Sequence, residues 1–449
     1  MRTLDSIARL PAGALVTMLL AVSRPAAAAP DEGFAMSDDA ALMAGAVAAS
    51  GRDVASVWYN PALLTHNSRL RADVSATAYG VRFVRIPRGL HLQTRSRAEA
   101  AAFRGRDFIV VPSAFAVGSA VTEHVSLGFG FFTSRFSDPT LVARAELRGF
   151  DTVTAEVRHS SFTRRYHAGP VLGVRINPDL DLGLALYGVY DRVSASERVF
   201  LEREAEGAQT TLLSADESNV RSYGLQAAFG LKGNLGDMLS AAASVRTPVV
   251  PFFQRIEGSA ASLQTTTTAE GLTDAFSDYE GFPVQRRPSR VSTWTVATGL
   301  AIGPRRWKVG LDAEASPRQD GVTSLGQSAR WNVRAGMRWR LAQRWTLGGG
   351  VFTDRNDNRQ SSAGSLRVDL YGVAAGVRYR TLVTLGRRER EDRIAFRTTV
   401  GVRYAGGRGR GSGFEADLLE GATIDTNAGA SVPADLHLLS VYVGSGLAF

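Results

Sequence analysis

Hydrophobic positions recur at every second residue through most of this chain. Between Arg330 and Arg340, Trp331, Val333, Ala335, Met337 and Trp339 fall on one face, while Arg330, Asn332, Arg334, Gly336, Arg338 and Arg340 fall on the other. A period of two with one apolar face predicts a strand. The pattern repeats where Ile394, Phe396, Val400 and Val402 alternate with Arg393, Arg397 and Arg403, and where Tyr371, Val373, Val377 and Tyr379 alternate with Gly372, Gly376 and Arg378. It appears again near residues 125–132, 223–232 and 307–314. An arginine facing lipid at mid-depth costs roughly 2–4 kcal/mol. The apolar faces are therefore expected to meet lipid and the arginines a lumen.

Fourteen such strands are predicted, near 72–83, 107–121, 124–135, 161–176, 181–194, 220–232, 237–246, 290–302, 306–315, 329–341, 344–353, 367–380, 393–405 and 436–449. Each is long enough for the ~9–11 residues a tilted strand needs to cross a bilayer. Connections after even-numbered strands are tight, and those after odd-numbered strands (84–106, 136–160, 195–219, 247–289, 316–328, 354–366, 406–435) are long. Short periplasmic turns and long external loops distinguish outer-membrane barrels. The charged turn 381–392 is the exception, being long for the periplasmic side.

Both ends fit that picture. The last strand carries Leu439, Val441, Val443, Leu447 and Phe449 on one face. Closing a barrel removes its aggregation-prone edge. Its terminal phenylalanine resembles the signal by which the barrel-assembly machinery recognises outer-membrane proteins. At the other end Arg2 and Arg9 precede the apolar stretch 12–22 and an Ala-rich cleavage region, the pattern of a secretory signal peptide covering residues 1–28. The expected location is the outer membrane of a Gram-negative bacterium.

Composition narrows the function. Cysteine is absent, which excludes disulfides and thiolate chemistry. The formal charge of +9 falls to +7 once Arg2, Arg9, Arg24 and Asp5 leave with residues 1–28. The basic residues alternate along strands and form no single stripe, so no nucleic-acid partner is expected. Lumen carboxylates, or lipopolysaccharide phosphates at the rim, explain them better. The six histidines are scattered, and neither Gly-x-Ser-x-Gly nor His-Glu-x-x-His occurs. No catalytic residue, metal or cofactor is expected.

Residues 29–71 do not alternate. Val54, Val57, Trp58, Tyr59, Leu63 and Leu64 are too apolar for a disordered tail, and the lumen is the one large space in which to bury them. The run from Ala46 to Ala62 (AVAASGRDVASVWYNPA) resembles the N-terminal signature of the FadL-type outer-membrane transporters. Asp53, Ala55, Ser56, Tyr59, Asn60, Pro61 and Ala62 match its pattern, and Leu63 departs from it where the family usually has glycine. The resemblance implies an all-β, 14-stranded antiparallel transmembrane barrel over 72–449 with residues 29–71 as a hatch inside the lumen. It also implies passive uptake of long-chain fatty acids or related lipophiles, with lateral exit where the third strand kinks. Gly128 and Gly130 are the candidates for that kink, or they make room for large lumen neighbours.

Two further groups are candidates. Val249, Val250, Phe252 and Phe253 form an apolar patch suited either to first capture of substrate or to anchoring a loop in lipid headgroups. Arg334, Arg338, Arg378 and Arg403 face inward by parity and are placed either to bind a substrate carboxylate or to pair with interior acids such as Asp312 and Glu314. A general diffusion porin is the main competing function and predicts an open aqueous lumen. A structural or adhesive barrel is the other.

Overall fold

The computed structural model describes residues 35–66, 70–93, 98–148, 152–205, 207–285, 293–304, 306–317, 329–356, 366–385, 392–417, 423–425 and 431–449. The expected signal peptide and the charged centre of the 381–392 turn lie outside them. Strands run in chain order as β1 (Arg71–Gln93), β2 (Ala98–Ala120), β3 (Val125–Ser137), β4 (Thr140–Arg148), β5 (Thr152–Asn177), β6 (Leu180–Ala205) and β7 (Ala208–Leu235). Then come β8 (Leu239–Arg246), β9 (Val250–Thr268), β10 (Gly271–Gln285), β11 (Thr295–Ile302), β12 (Trp307–Ser316), β13 (Arg330–Arg340) and β14 (Trp345–Asp354). The last are β15 (Leu366–Val368), β16 (Leu370–Leu385), β17 (Asp392–Ser412), β18 (Phe414–Asp417), β19 (Thr423–Asp425) and β20 (Ser431–Ala448).

Fourteen of these close a ring of antiparallel pairs in the order β1, β2, β3, β5, β6, β7, β8, β11, β12, β13, β14, β16, β17, β20 and back to β1. Closure sets Arg71 opposite Ala448, and the Phe449 amide donates to the Leu70 carbonyl at 3.0 Å. Each strand of the ring has a neighbour on both sides, so the wall presents no free edge strand to the bilayer. No described helix is long and apolar enough to cross a membrane.

The outer face carries the apolar band. Trp331, Met337 and Trp339 are exposed, while Arg330, Arg334 and Arg338 on the same strand are buried. Leu182, Leu184 and Leu186, and Leu225, Phe229 and Leu231, continue the band around the wall.

Among the described residues, five of the expected long external loops (84–106, 136–160, 195–219, 247–289 and 406–435) are mostly strand. β6 and β7 stay paired up to Ala205↔Ala208, and 250–285 forms the hairpin β9–β10, with β9 taking over from β8 alongside β7. The reason is that alternation continues past the lipid, with Val193, Val199 and Leu201 still facing inward and buried. Above the band the interior is largely apolar, with buried polar pairs such as Arg82–Asp107 and His159–Glu197. Ile86, Leu90 and Leu92 of β1, Phe103 of β2, Leu141 and Leu147 of β4, and Phe414 and Leu436 pack there in one continuous cluster.

Candidate functional site

Residues 35–66 fold by local capping. Ser37 caps a short helix, α1 (Asp38–Leu42), its hydroxyl accepting from the Ala40 amide at 3.1 Å. Asp53 caps the 3-10 turn Val54–Trp58, accepting from the Ser56 amide at 3.0 Å. Asn60 accepts from the Ala62 amide at 3.0 Å, and Pro61 opens a second 3-10 turn, Pro61–His66.

This segment touches the wall on every side. It meets β1 through Asp73, which accepts from the Val54 amide, and β2 and β3 through Leu64, which packs on Gly118 and Gly128. Asn60 donates to the Leu231 carbonyl of β7 at 3.1 Å, Ser244 of β8 donates to the Tyr59 carbonyl at 2.9 Å, and Asp312 of β12 accepts from the Ala48 amide at 2.8 Å. Arg338 of β13, Arg378 of β16 and Tyr442 of β20 complete the circuit. A segment in contact with opposite walls of a closed ring lies within it. Glycines on the inner face allow this approach: a Cβ on Gly183 would stand 2.1 Å from the Ala62 amide, and one on Gly336 would stand 2.2 Å from the Met43 carbonyl.

The lumen is divided in character. Its charged sector lies along β12–β17 and β1. Asp39, fully buried, accepts from Arg338 at 2.5 Å and Arg378 at 2.8 Å, and Arg397 pairs with Asp73 at 2.6 Å. Arg334 pairs with Glu314 at 3.2 Å, and Arg403 stacks 3.7 Å over the Phe352 ring. Of the four arginines predicted as carboxylate receptors, Arg334, Arg338 and Arg378 thus hold acids of their own chain. Burial, and then the negative charges of Asp39 and Asp73, push the Asp53 carboxyl up to about 7.

The opposite sector is aromatic. Trp58 packs against Phe132 (5.1 Å between ring centroids), His167 (4.9 Å) and Tyr187 (6.0 Å), with the Arg246 guanidinium 4.3 Å over its face. The Tyr187 hydroxyl and His167 Nδ1 are buried without a hydrogen-bond partner. This cluster adjoins an interruption in the wall. Pairing of β2 with β3 ends at Ala114↔Phe132, and further out this edge of β2 meets β4 at Gly105↔Leu141 and Arg104↔Val142 while its other edge stays paired with β1. Ser134 is an extra residue in the β3–β5 ladder, and its hydroxyl lies 2.9 Å from His167 Nε2.

Gly128 and Gly130 do not make this irregularity. Both stay paired to β2 and β5, Gly128 leaving room for Leu64 and Gly130 for the Phe132 ring. The ladder register shifts instead at Thr133–Arg135, next to the point where pairing with β2 ends. The 249–253 patch is divided between faces. Val249 packs on the interior cluster, Val250 and Phe252 are exposed, and Phe253 joins Tyr223 on the outer face at 5.8 Å. Neither the aromatic cluster nor the Asp39 anchor was legible in the sequence; inward parity of His167 and Tyr187 was the one available sign.

Solved structures share this fold. A Pseudomonas aeruginosa FadL homologue superposes with a TM-score of 0.61 at 9% identity, over 94% of this chain and 99% of that one. The P. putida toluene transporter TodX gives 0.57 at 12% identity, over 93% and 99% of the two chains. The Ralstonia pickettii toluene transporter TbuX gives 0.52 at 11% identity, also over 93% and 99%. No family model and no curated protein matches the chain by sequence.

Proposed function

We propose that the chain is an outer-membrane channel for passive uptake of hydrophobic compounds, with residues 29–71 as its hatch and the unpaired stretch between β2 and β3 as its lateral exit. The observation that carries this reading is the coincidence of three features. Residues 35–66 contact the wall from β1 round to β20, an apolar cluster lines much of the outer interior, and the interrupted wall adjoins the Trp58–Phe132–Tyr187 cluster. Each methylene removed from water gains about 0.8 kcal/mol. An oily solute therefore favours the apolar vestibule over water, and a sideways exit spares it the aqueous periplasm. Neighbours of the same fold, described as a FadL homologue and as toluene transporters, support this choice of cargo.

The signal peptide over 1–28 and recognition of Phe449 by the assembly machinery complete the proposed route to the outer membrane. A transport role, with no catalytic step, agrees with the same neighbours. Uptake of toluene and of a long-chain fatty acid, compared with a hydrophilic sugar, tests the reading. Expression in a host lacking its own channels should admit the oily solutes and exclude the sugar; the reverse result favours a general porin. Deleting Ser134 removes the bulge, so pairing should extend and uptake should fall while the barrel still forms. Unchanged uptake in that deletion overturns the lateral exit.

A further inference from the structure

Strand register stacks four arginines in one row. Arg164 of β5 stands opposite Arg192 of β6, Arg192 opposite Arg221 of β7, and Arg221 opposite Arg255 of β9. Parity puts them outward: Tyr223 and Leu225 share a face with Arg221 and are exposed, whereas Val189 and Val193 on either side of Arg192 are buried. Like charges directly opposite one another destabilise a ladder, so such a row calls for a counter-charge.

The same strands show how the interior handles this problem. One residue along and facing inward, Arg165 meets Asp191 at 2.7 Å. On the outer row Arg255 pairs with Glu257, and Asp138 lies near Arg164. Arg192 and Arg221, at the centre, have no ion pair among the described residues. The Nε atoms of Arg164, Arg192 and Arg221 are buried without a hydrogen-bond partner. Arg164 is held in place by stacking on Phe162 at 4.1 Å and Phe136 at 4.8 Å, and Arg192 leans on Phe162 at 5.4 Å.

Depth identifies what can meet them. Two residues along each strand toward the tight turns lies a row of rings, Tyr166↔Tyr190, Tyr190↔Tyr223 and Tyr223↔Phe253, with centroids 6.2, 5.0 and 5.8 Å apart. Beyond it come the exposed Leu186, Leu184 and Leu182 of the lipid band. Aromatic rows of this kind mark the membrane interface, so the guanidinium groups stand at headgroup depth on the external side. Planar guanidinium forks bind phosphate through two parallel hydrogen bonds.

We propose that the row Arg164–Arg192–Arg221–Arg255 is a binding site for the phosphate groups of an anionic glycolipid in the outer leaflet, whose acyl chains lie along the aromatic row and the leucines beneath it. This goes beyond the transport reading and holds whatever the cargo is.

The test titrates the purified full-length protein in detergent with a bis-phosphorylated glycolipid and with its dephosphorylated form, reading bound lipid by native mass spectrometry. Wild type should prefer the phosphorylated lipid. Arg192→Gln with Arg221→Gln should weaken it by roughly tenfold or more, since charged hydrogen bonds are lost. Arg192→Lys with Arg221→Lys, keeping charge without the fork, should fall between. Resistance of the barrel to SDS at room temperature checks folding, and if the glutamine variant does not fold, the two-lipid comparison on wild type still decides. Equal binding of the two lipids overturns the proposal, as does a folded double variant binding like wild type. Displacement of the lipid by millimolar inorganic phosphate would make free phosphate the ligand and overturn the lipid assignment.

Discussion

Replacing Asp39 by asparagine tests how the lumen is kept closed. The carboxylate is fully buried and joins α1 of the inner segment to two wall strands, accepting from Arg338 at 2.5 Å, Arg378 at 2.8 Å and the Arg52 amide at 2.8 Å. Asparagine keeps the shape and removes the charge, leaving two guanidinium groups in a water-poor space. Removing one partner of a buried ion pair costs about 3–5 kcal/mol. Arg378 retains Asp53 at 3.9 Å, which argues for the lower end. About 3 kcal/mol corresponds to roughly a hundredfold shift toward the displaced segment. Planar-bilayer recording at pH 8, where Asp53 is ionised, reads this as open probability for small ions, which should rise by about that factor. A triple variant, Asp39→Leu with Arg338→Met and Arg378→Met, leaves no orphaned charge at that point and should restore closure. If D39N conducts no more than wild type, or the triple variant leaks as D39N does, the ion-pair anchor is not what holds the segment.

Asn60→Ala removes hydrogen bonds to the Ala62 amide and to the Ala48 and Leu231 carbonyls; a loss of about 2–3 kcal/mol should appear as faster limited proteolysis within 35–66, with the barrel itself still resistant. Gly183→Ala drives a Cβ to 2.1 Å from the Ala62 amide, so the barrel should form while conductance rises; a silent, closed channel would contradict the packing described. Asp53, its carboxyl raised to about 7 against about 3.9 in an unfolded chain, holds an extra proton when folded between those pH values. Its contribution to stability is therefore complete at low pH and is lost as pH rises through that window. Protease access to the inner segment should be greater at pH 8 than at pH 5.5, and Asp53→Asn should flatten the dependence; the opposite slope would refute the sign.

Alternation was enough to determine the fourteen strands of the ring and their faces, because the period of two is local and lipid offers no partner for a charge. Trp331, Met337 and Trp339 face out and Arg334 and Arg338 face in for that reason alone. Short and long connections were also legible, although the described long ones are largely strand, as between β6 and β7, where inward apolar positions such as Val199 and Leu201 continue beyond the bilayer. What only the tertiary structure decided depends on register and closure. Asp39 meets Arg378 across 339 residues of chain, and parity could say that Arg378 points inward but not what it meets. The interruption beyond Ala114↔Phe132 arises where one extra residue, Ser134, shifts a ladder, and no composition signal marks it. The outer arginine row exists because four strands align at one height. A slip of a single residue would bring different side chains opposite one another, so these sites belong to the closed ring and not to any one strand.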